Sequence, residues 1–511
     1  MAKQTRTVLA AKNFIWASVG DAVNLLLSFV SRTIFIYTLG TVYLGVNGLF
    51  SNVLGMLSLA ELGVGATISF SLYKPLAEND INKIQAIINF YRTAYRLIAA
   101  VVAAMGICII PFLSYIVKGA DRVDNIVFIY CLFLFNTVTS YLISYKSTLL
   151  RADQRNYLIT NINTVVRILT VIIQSIMLIM FKDFIIYLLA NAVIQLISKI
   201  YVNRYTDKRY PYIRGRNSSR LPDADKKTIF TKIKAMMIHK LGDVAINQTD
   251  NIITSAVINV IAVGLVSNFT MIIASVNSIV TSFFSASVAG LGNIIATESN
   301  ENRLRIFKKY DFLGFCFFGW TAICLAFLLS PFITVWIGAD KLVDKWTVLL
   351  LCVNYYFTGQ RVSLGNIKAA AGVFEQDVWM PFAQAAVNIA ISIMAAKMFG
   401  LPGIYIGTFI SSFVPNIGRP IIVYKYVFGI KSSLYFKQYI KRILLMLISG
   451  GLIVLSDTIF HIDNVLLTLV FRGIACIIIP TAVIWAVYHR TEEWNYCINT
   501  VKMLVRRRTN G

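Results

Sequence analysis

The sequence predicts an all-α polytopic membrane protein with about fourteen transmembrane helices, arranged as two six-helix bundles in parallel repeat plus two C-terminal helices. Three observations predict this class. They are an apolar composition, an uneven distribution of Lys and Arg between alternate loops, and an internal repeat with an offset of about 220 residues.

The composition excludes a soluble domain of this size. Of the 511 residues, 57% are hydrophobic and 14% are charged, whereas soluble domains have about 45–50% apolar and about 25% charged residues. A spanning helix needs about 20 mostly apolar residues, and the long continuous runs disfavour a β-barrel. The predicted spans α1 to α14 are 12–39, 43–71, 93–117, 123–149, 157–181, 183–203, 229–258, 260–291, 310–337, 343–370, 376–399, 401–427, 440–456 and 465–488.

Lys and Arg are concentrated in alternate loops. With the N-terminus inside, and with residues near the span ends counted on the adjoining side, the inner side holds 38 of these residues, the outer side holds six, and four lie deep within helices. Because cytoplasmic loops attract Lys and Arg, we expect both termini in the cytoplasm. This distribution, together with attraction to anionic membrane lipid, explains the net charge of +24, so no nucleic-acid partner is expected.

The polar residues give no indication of catalysis or of a bound cofactor. The seven cysteines form no close pair and the three histidines are far apart, so neither a metal site nor a disulfide frame is expected. A polysaccharide polymerase is disfavoured because the sequence has no large outer loop, and a membrane glycosyltransferase is disfavoured because the outer carboxylates stand in short turns beside basic residues. These carboxylates are Asp121, Asp124, Asp340 and Asp344. We therefore expect a protein that is not an enzyme.

Short motifs recur in the same order along the chain. GLFSN at 48–52 recurs as GLVSN at 264–268, and GAD at 119–121 recurs at 338–340. A repeat of six helices gives both copies the same orientation in the membrane. The predicted domains are an N-terminal bundle at 1–203, a basic cytoplasmic linker at 204–228, a second bundle at 229–427, and two further helices with a basic tail at 428–511.

Polar residues form stripes inside two predicted spans. In α7, Asp243, Asn247 and Asp250 share one helical face, and in α1, Asp21 and Asn24 lie on the face that continues to Ser28 and Arg32. Because charges at membrane depth cost about 2.5–3.5 kcal/mol each, such stripes are expected to face water. The α7 carboxylates and Asp21 suit coupling to Na⁺ or to H⁺, although Asp243 and Asp250 could instead pair with nearby cations such as Lys240. In α2, Asn47 begins a similar stripe.

Several cations also lie within or at the ends of the predicted spans. Arg32 lies in the outer third of α1, and α5 carries Arg167. A cavity with such cations would attract phosphate, although those near the inner ends could also snorkel to lipid headgroups. The predicted substrate-binding residues are Arg32, Lys146, Arg151, Arg361, Lys368, Asn24 and Asn47.

With these features, the chain resembles the Wzx-type oligosaccharide-flippase family of the multidrug/oligosaccharidyl-lipid/polysaccharide (MOP) exporter superfamily. The resemblance rests on the six, six and two helices, the polar α7, and the segment AELGVG at 60–65 followed by SFSLYKPL at 69–76. It implies alternating access that moves an undecaprenyl-pyrophosphate-linked oligosaccharide from the cytoplasmic to the outer leaflet for surface polysaccharide biosynthesis. It also implies a bacterial inner-membrane location, with polysaccharide polymerase and glycosyltransferases as partners.

Two other functions within the same superfamily remain open. A cation-coupled multidrug exporter would share the fold but is expected to have a more acidic or aromatic cavity. A lipid II flippase would also have a cationic cavity, so sequence alone separates it poorly from a polysaccharide-unit flippase.

The charge distribution predicts the side of each loop. A reporter that is active only outside the cytoplasm is expected to work when it is fused after Gly119 or Gly338 and to fail within 206–226. Outside activity at the 206–226 fusion would invert the topology and contradict the prediction.

Overall fold

The fold was taken from a computed structural model of the chain. The structure describes residues 6–61, 64–119, 123–214, 248–285, 288–373, 375–460 and 464–496, together with 498 and short pieces between 221 and 233. Side chains are described from residue 23 onward, except at 59, 60, 66, 289, 290, 293 and 296. All regular elements in these ranges are helical, which confirms the predicted fold class.

The contacts divide the chain into two compact units. Unit 1 covers Met1–Gly264 and unit 2 covers Leu265–Gly511. This boundary falls at the start of α8 rather than in the predicted linker at 204–228. The predicted domain limits rest on the internal repeat and stay a prediction.

The predicted spans correspond to observed helices along the chain. Eleven helical segments of the described residues are long and apolar enough to cross a membrane, so the chain is a multi-pass membrane protein. Of the other spans, α2 joins α1 in one of these segments, α7 is described only in short pieces up to residue 233 and again from residue 248, and α10 is interrupted at Gln360.

The helical bounds in unit 1 follow the predicted order. The segment Arg6–Leu57 contains two helices, α1 and the first part of α2, because Gly40 interrupts the helical backbone between them with φ 80° and ψ −175°. The further helices are the rest of α2 at Ser58–Glu61 and Val64–Glu78, α3 at Ile81–Ile109 with Leu113–Ile116, α4 at Ile126–Ala152, α5 at Asn156–Phe181, α6 at Phe184–Arg209, the end of α7 at 248–253 with Thr254–Ile258, and the first part of α8 within Val260–Ser285.

The helices that lie wholly in unit 2 are also close to the predicted spans. They are Val288–Thr297 after α8, α9 at Asn300–Ile337, α10 at Lys345–Gly359 and Arg361–Ala370, α11 at Met380–Phe399, α12 at Leu401–Val423 with Tyr424–Phe428, α13 at Ser433–Ile459, and α14 at Val465–Tyr488.

Several helices begin or end beyond the hydropathic prediction. The observed α3 begins at Ile81 rather than at 93, and its added turns bury Ile84, Ile87 and Ile88 between polar residues. Hydropathy detects only the part of a helix that lies in hydrocarbon, whereas an amphipathic continuation carries too many polar residues for such a window. The early start of α9 has the same cause.

Aspartate caps and glycines with positive φ shape the turns on the predicted outer side, where Lys and Arg are few. The carboxylates of Asp183 and Asp344 accept hydrogen bonds from Ile186 N and Thr347 N, each at 2.9 Å, and so cap α6 and α10. Gly119 and Gly338, which correspond in the internal repeat, both have positive φ, at 76° and 102°. The repeated motif therefore encodes a repeated backbone turn, because glycine adopts this region without strain.

Close backbone contacts join α2 to α8 within unit 1. A Cβ atom built on Gly264 would lie 2.1 Å from Thr41 O, and one built on Gly45 would lie 1.9 Å from Val260 O. Nearby, Val260 N donates to Lys118 O at 2.8 Å, which ties the start of α8 to the turn after α3. Small residues allow helices to approach in this way, which matters in lipid because hydrophobic burial contributes little there.

Aromatic side chains of α9 pack in the core of unit 2. Phe307, Phe312, Phe315 and Phe318 on α9 are all buried. Phe312 packs on Tyr488 of α14 with ring centroids 4.7 Å apart, so the last helix is part of this core.

The contact at Gly264 predicts a thermal stability effect of unusual sign. Replacing a helical glycine by alanine normally stabilises a helix by about 0.5–1 kcal/mol. Gly264→Ala is expected to lower the unfolding temperature of the purified protein, since Thr41 O blocks the added methyl group and overpacking costs about 1–3 kcal/mol.

Gly450 in α13 provides the matched control. A Cβ atom there meets nothing within 4 Å, so Gly450→Ala is expected to leave the unfolding temperature unchanged or higher. Equal behaviour of the two variants would contradict the close approach of α2 and α8.

Candidate functional site

Two arginines of unit 1 lie near one tyrosine within the predicted membrane spans. Arg32 on α1 and Arg167 on α5 both interact electrostatically with Tyr187 on α6. The Nη2 atom of Arg167 also donates to Ser28 Oγ at 3.4 Å. We call Ser28, Arg32, Arg167 and Tyr187 the arginine cluster; all four side chains are half-buried.

Helix geometry and aromatic packing position the arginine cluster. Ser28 and Arg32 are four residues apart and therefore share one face of α1. The backbone of Tyr187 accepts a hydrogen bond from Gln174 Nε2 at 3.1 Å. Its ring stacks on Phe184 with centroids 6.0 Å apart and meets Phe35 edge-on at 5.2 Å. The tyrosine is thus held from three helices, α1, α5 and α6.

The chemistry of the arginine cluster suits a phosphate or pyrophosphate group. A guanidinium presents a planar fork of donors that matches phosphate oxygens, and it remains charged. Two such groups in one half-buried place repel each other, and an anion bound between them would be attracted by both. The serine hydroxyl does not add a donor for the ligand, because it already donates to Asn24 O and serves as an acceptor for Arg167.

The predicted cations at the end of α4 have local partners. Lys146 is buried and forms an ion pair with Asp207 of α6 at 2.6 Å, and it also donates to Asn203 Oδ1. Arg151 is exposed and acts electrostatically on Glu61, whose carboxylate accepts a hydrogen bond from Tyr95 Oη at 3.1 Å. The positive charge of Lys146 is therefore largely balanced inside unit 1.

The corresponding cations of α10 also lie among local partners. Lys368 forms an ion pair with Asp377, and Arg419 Nε lies 4.0 Å from the same carboxylate. Arg361 is buried and donates to Thr358 Oγ1 at 3.1 Å. Lys146 and Lys368, which correspond in the repeat, are each paired within their own unit, and their role in substrate binding stays a prediction.

The other predicted site residues are described to different extents. Asn24 and Asn47 are half-buried, and their backbone carbonyls accept from Ser28 Oγ and Ser51 Oγ, each at 2.7 Å. Asp250 is half-buried near the end of α7. The side chain of Asp21, and all of Asp243 and Asn247, lie outside the described residues, so the predicted coupling stripe stays a prediction.

A buried ion pair in unit 2 was not predicted from the sequence. Arg442 of α13 donates from Nη1 to Asp311 Oδ2 of α9 at 2.5 Å, and Ser363 Oγ of α10 donates to Asp311 Oδ1 at 2.6 Å. The two charged residues are only 5% and 4% exposed. Both positions fall inside predicted spans, so opposite charges in two apolar helices were the signal that could have found the pair.

The ion pair connects α13 to the second bundle. The guanidinium of Arg442 lies over the Phe315 ring, 5.3 Å from its centroid. Tyr488 of α14 lies beside it and donates to Gln438 Oε1 at 3.4 Å. Helices α13 and α14, which fall outside the repeat, are therefore fastened to α9 by charge as well as by packing.

Comparisons with known proteins relate the fold to transporters. No protein-family model and no curated protein matches the chain. Among solved structures, the chain is similar to the lipid II flippase MurJ in an inward closed conformation, with a TM-score of 0.62, 15% identity, and 93% of this chain and 98% of that chain covered. The fold is that of MOP transporters.

Two MATE structures support the same fold. An inward-facing multidrug resistance MATE transporter of the MOP superfamily gives a TM-score of 0.57 at 13% identity, with 77% of this chain and 92% of that chain covered. A MATE transporter of Vibrio cholerae gives 0.57 at 13% identity, with 84% and 99% covered.

The Asp311–Arg442 pair predicts a large loss of stability when one partner is removed. Because Arg442→Ala leaves a buried carboxylate without its cation, it is expected to cost about 3–5 kcal/mol and to lower the unfolding temperature in detergent. The double variant Asp311→Leu with Arg442→Met is expected to recover most of that loss, since it removes both charges.

The exposed pair Lys74–Glu78 is the matched control, with side chains 83% and 57% exposed. Lys74→Ala is expected to change stability by less than about 1 kcal/mol. A double variant that is less stable than Arg442→Ala would contradict the electrostatic explanation.

Proposed function

We propose that the chain is a flippase that moves undecaprenyl-pyrophosphate-linked oligosaccharide units from the cytoplasmic to the outer leaflet by alternating access, for surface polysaccharide biosynthesis. The single observation that carries the proposal is the arginine cluster. A flippase must pass a charged pyrophosphate through a region in which hydrocarbon would exclude it, and Arg32 and Arg167 offer charge to that group at membrane depth.

The fold supports a transport function. Transporters of this architecture place substrates near the middle of the membrane, between their repeated bundles. MurJ, whose fold is similar, is named as a flippase of lipid II. The proposed substrate has the same chemical outline, because it combines a polyprenyl tail, a pyrophosphate and a sugar-containing headgroup.

The sequence resemblance favours an oligosaccharide rather than lipid II as the substrate. The segments at 60–65 and 69–76 carry that resemblance. The proposed location is the bacterial inner membrane with both termini in the cytoplasm, and the proposed partners are polysaccharide polymerase and glycosyltransferases. Coupling to Na⁺ or H⁺ is assigned to the α7 residues Asp243, Asn247 and Asp250 together with Asp21.

A multidrug exporter is the second candidate function. The similarity to MATE structures favours it, because one of those proteins is a multidrug resistance transporter. Two arginines in the arginine cluster would repel a cationic drug, whereas they would attract a pyrophosphate. The charge of the ligand therefore separates the two functions.

The arginine cluster predicts a loss of transport without a loss of protein. Arg32→Ala and Arg167→Ala are each expected to reduce export of the cognate polysaccharide roughly 10- to 100-fold, since a hydrogen bond to a charged group contributes about 1.5–3 kcal/mol. Lys substitutions should retain partial export, because they keep the charge and lose the fork. Surface polysaccharide and the accumulated lipid-linked precursor are measured in cells that lack the native gene.

Arg96 on α3 is a suitable control because it is an exposed arginine of the same unit outside the arginine cluster. Arg96→Ala is expected to leave export unchanged, and the membrane level of every variant is determined by immunoblot. Full export by both alanine variants at normal protein levels would refute the proposal. Efflux of a cationic dye that depends on this chain would favour the exporter.

A further inference from the structure

An apolar groove runs along the surface of unit 1 between α5 and α6. It has a volume of about 480 Å³. From α5 it is lined by Ile162, Val165, Val166, Leu169 and Ile173, with Asn161 at one end, and from α6 by Ile194, Ile197, Ser198 and Tyr201. Val165 is 55% exposed and Ile197 is 61% exposed, so the groove is open along its length.

The groove has the length of one membrane leaflet. Its α5 wall extends from Asn161 to Ile173, which is about 18 Å at 1.5 Å per residue. The hydrocarbon core of a bilayer is about 30 Å thick, so one leaflet contributes about half of that. An apolar chain that lies in the groove would therefore belong to a lipid of a single leaflet.

Cations continue the groove beyond its apolar part. Ile197, Tyr201, Arg204 and Lys208 follow each other on α6 at spacings of four, three and four residues, and thus lie on one face. Arg204 and Lys208 are exposed, and neither forms an ion pair with a carboxylate of the described residues. Tyr201 stacks on Tyr205 with ring centroids 6.3 Å apart.

The side of α6 that faces α4 carries polar groups with partners inside the protein. There, Lys199 donates to Asn136 O at 2.9 Å and to Thr139 Oγ1 at 2.8 Å, while Asp207 pairs with Lys146. The polar groups that face α4 are therefore satisfied within the protein. By helical spacing, Arg204 and Lys208 lie on the face of α6 that contributes Ile197 and Tyr201 to the groove.

One polar side chain, that of Asn161, lines an end of the groove. The side-chain oxygen Oδ1 of Asn161 is buried and has no hydrogen-bond partner among the described residues. It lies at the end of the groove that is nearest to the first turn of α5, which is the end toward Arg204.

We propose that the α5–α6 groove binds one anionic phospholipid from the leaflet at this basic end, with an acyl chain along the apolar walls and the phosphate on Arg204 and Lys208. Basic pockets between membrane helices recognise anionic headgroups in this way. The groove covers one leaflet only, which fits a resident phospholipid and not the tail of a carrier that must cross both leaflets. The site is distinct from the arginine cluster and does not depend on the proposed transport function.

The test counts bound lipid on the full-length protein. The protein is delipidated in detergent and titrated with phosphatidylglycerol or with phosphatidylcholine, and bound lipid is measured by native mass spectrometry. One phosphatidylglycerol is expected to bind more tightly than phosphatidylcholine. The double variant Arg204→Gln with Lys208→Gln is expected to weaken that binding about 30-fold, because each cation near an anionic lipid strengthens binding about fivefold.

Two further variants separate the groove from general basicity. Ile197→Trp fills the groove and is expected to abolish binding of the tightly held lipid, while Lys431→Gln with Lys437→Gln, at exposed positions before and within α13, should leave it unchanged. Equal affinity for the two lipids, or full binding by the Arg204 and Lys208 double variant, would overturn the proposal. So would stoichiometric displacement of phosphatidylglycerol by undecaprenyl phosphate, which would assign the groove to a carrier tail.

Discussion

A bilayer cannot solvate a charge, and this constraint explains where the charged residues of the chain are found. Each charged side chain at membrane depth must meet a counter-charge, a hydrogen-bonding group, water or a ligand. In unit 2, Asp311 and Arg442 satisfy one another inside the protein. The arginine cluster is different in kind, because two cations lie near one neutral hydroxyl. The proposed function assigns substrate binding to the arginine cluster, whereas the Asp311–Arg442 pair holds helices together.

Two lysine–aspartate ion pairs near the predicted cytoplasmic ends of the helices illustrate how charges can stabilise the protein. Lys146 and Lys368 correspond in the repeat, but their partners do not: Asp207 lies at the end of α6, whereas Asp377 lies in the short turn before α11. The first pair links α4 to α6, and the second links the end of α10 to the turn that follows it, so each lysine charge is balanced within its own unit. A cation that is balanced in this way presents a weaker field to a passing anion than it would alone, since its carboxylate partner moves with it.

The sequence predicted the fold well because the signals for membrane helices are long and redundant. The bounds of α14 coincide with the prediction, and those of α5 differ by one residue. Helix starts at Ile81 and Asn300 were missed because the first turns of α3 and α9 carry polar residues that a hydropathic window rejects. The site was harder to predict, since charge alone does not reveal a partner. Arg32 and Lys146 are both deep cations in the sequence, and only their neighbours distinguish them.

The same reasoning relates the lipid groove to the arginine cluster. Arg167 lies on α5, and the groove is lined by Val165, Val166 and Leu169 of the same helix. One side of α5 thus carries a cation toward α1, while the other presents apolar side chains beside α6. The two sides of α5 therefore need different surroundings, because water or an anion must reach the side with Arg167 and hydrocarbon must cover the apolar side. A phospholipid in the groove would seal the apolar side and so favour the orientation of α5 in which Arg167 faces α1.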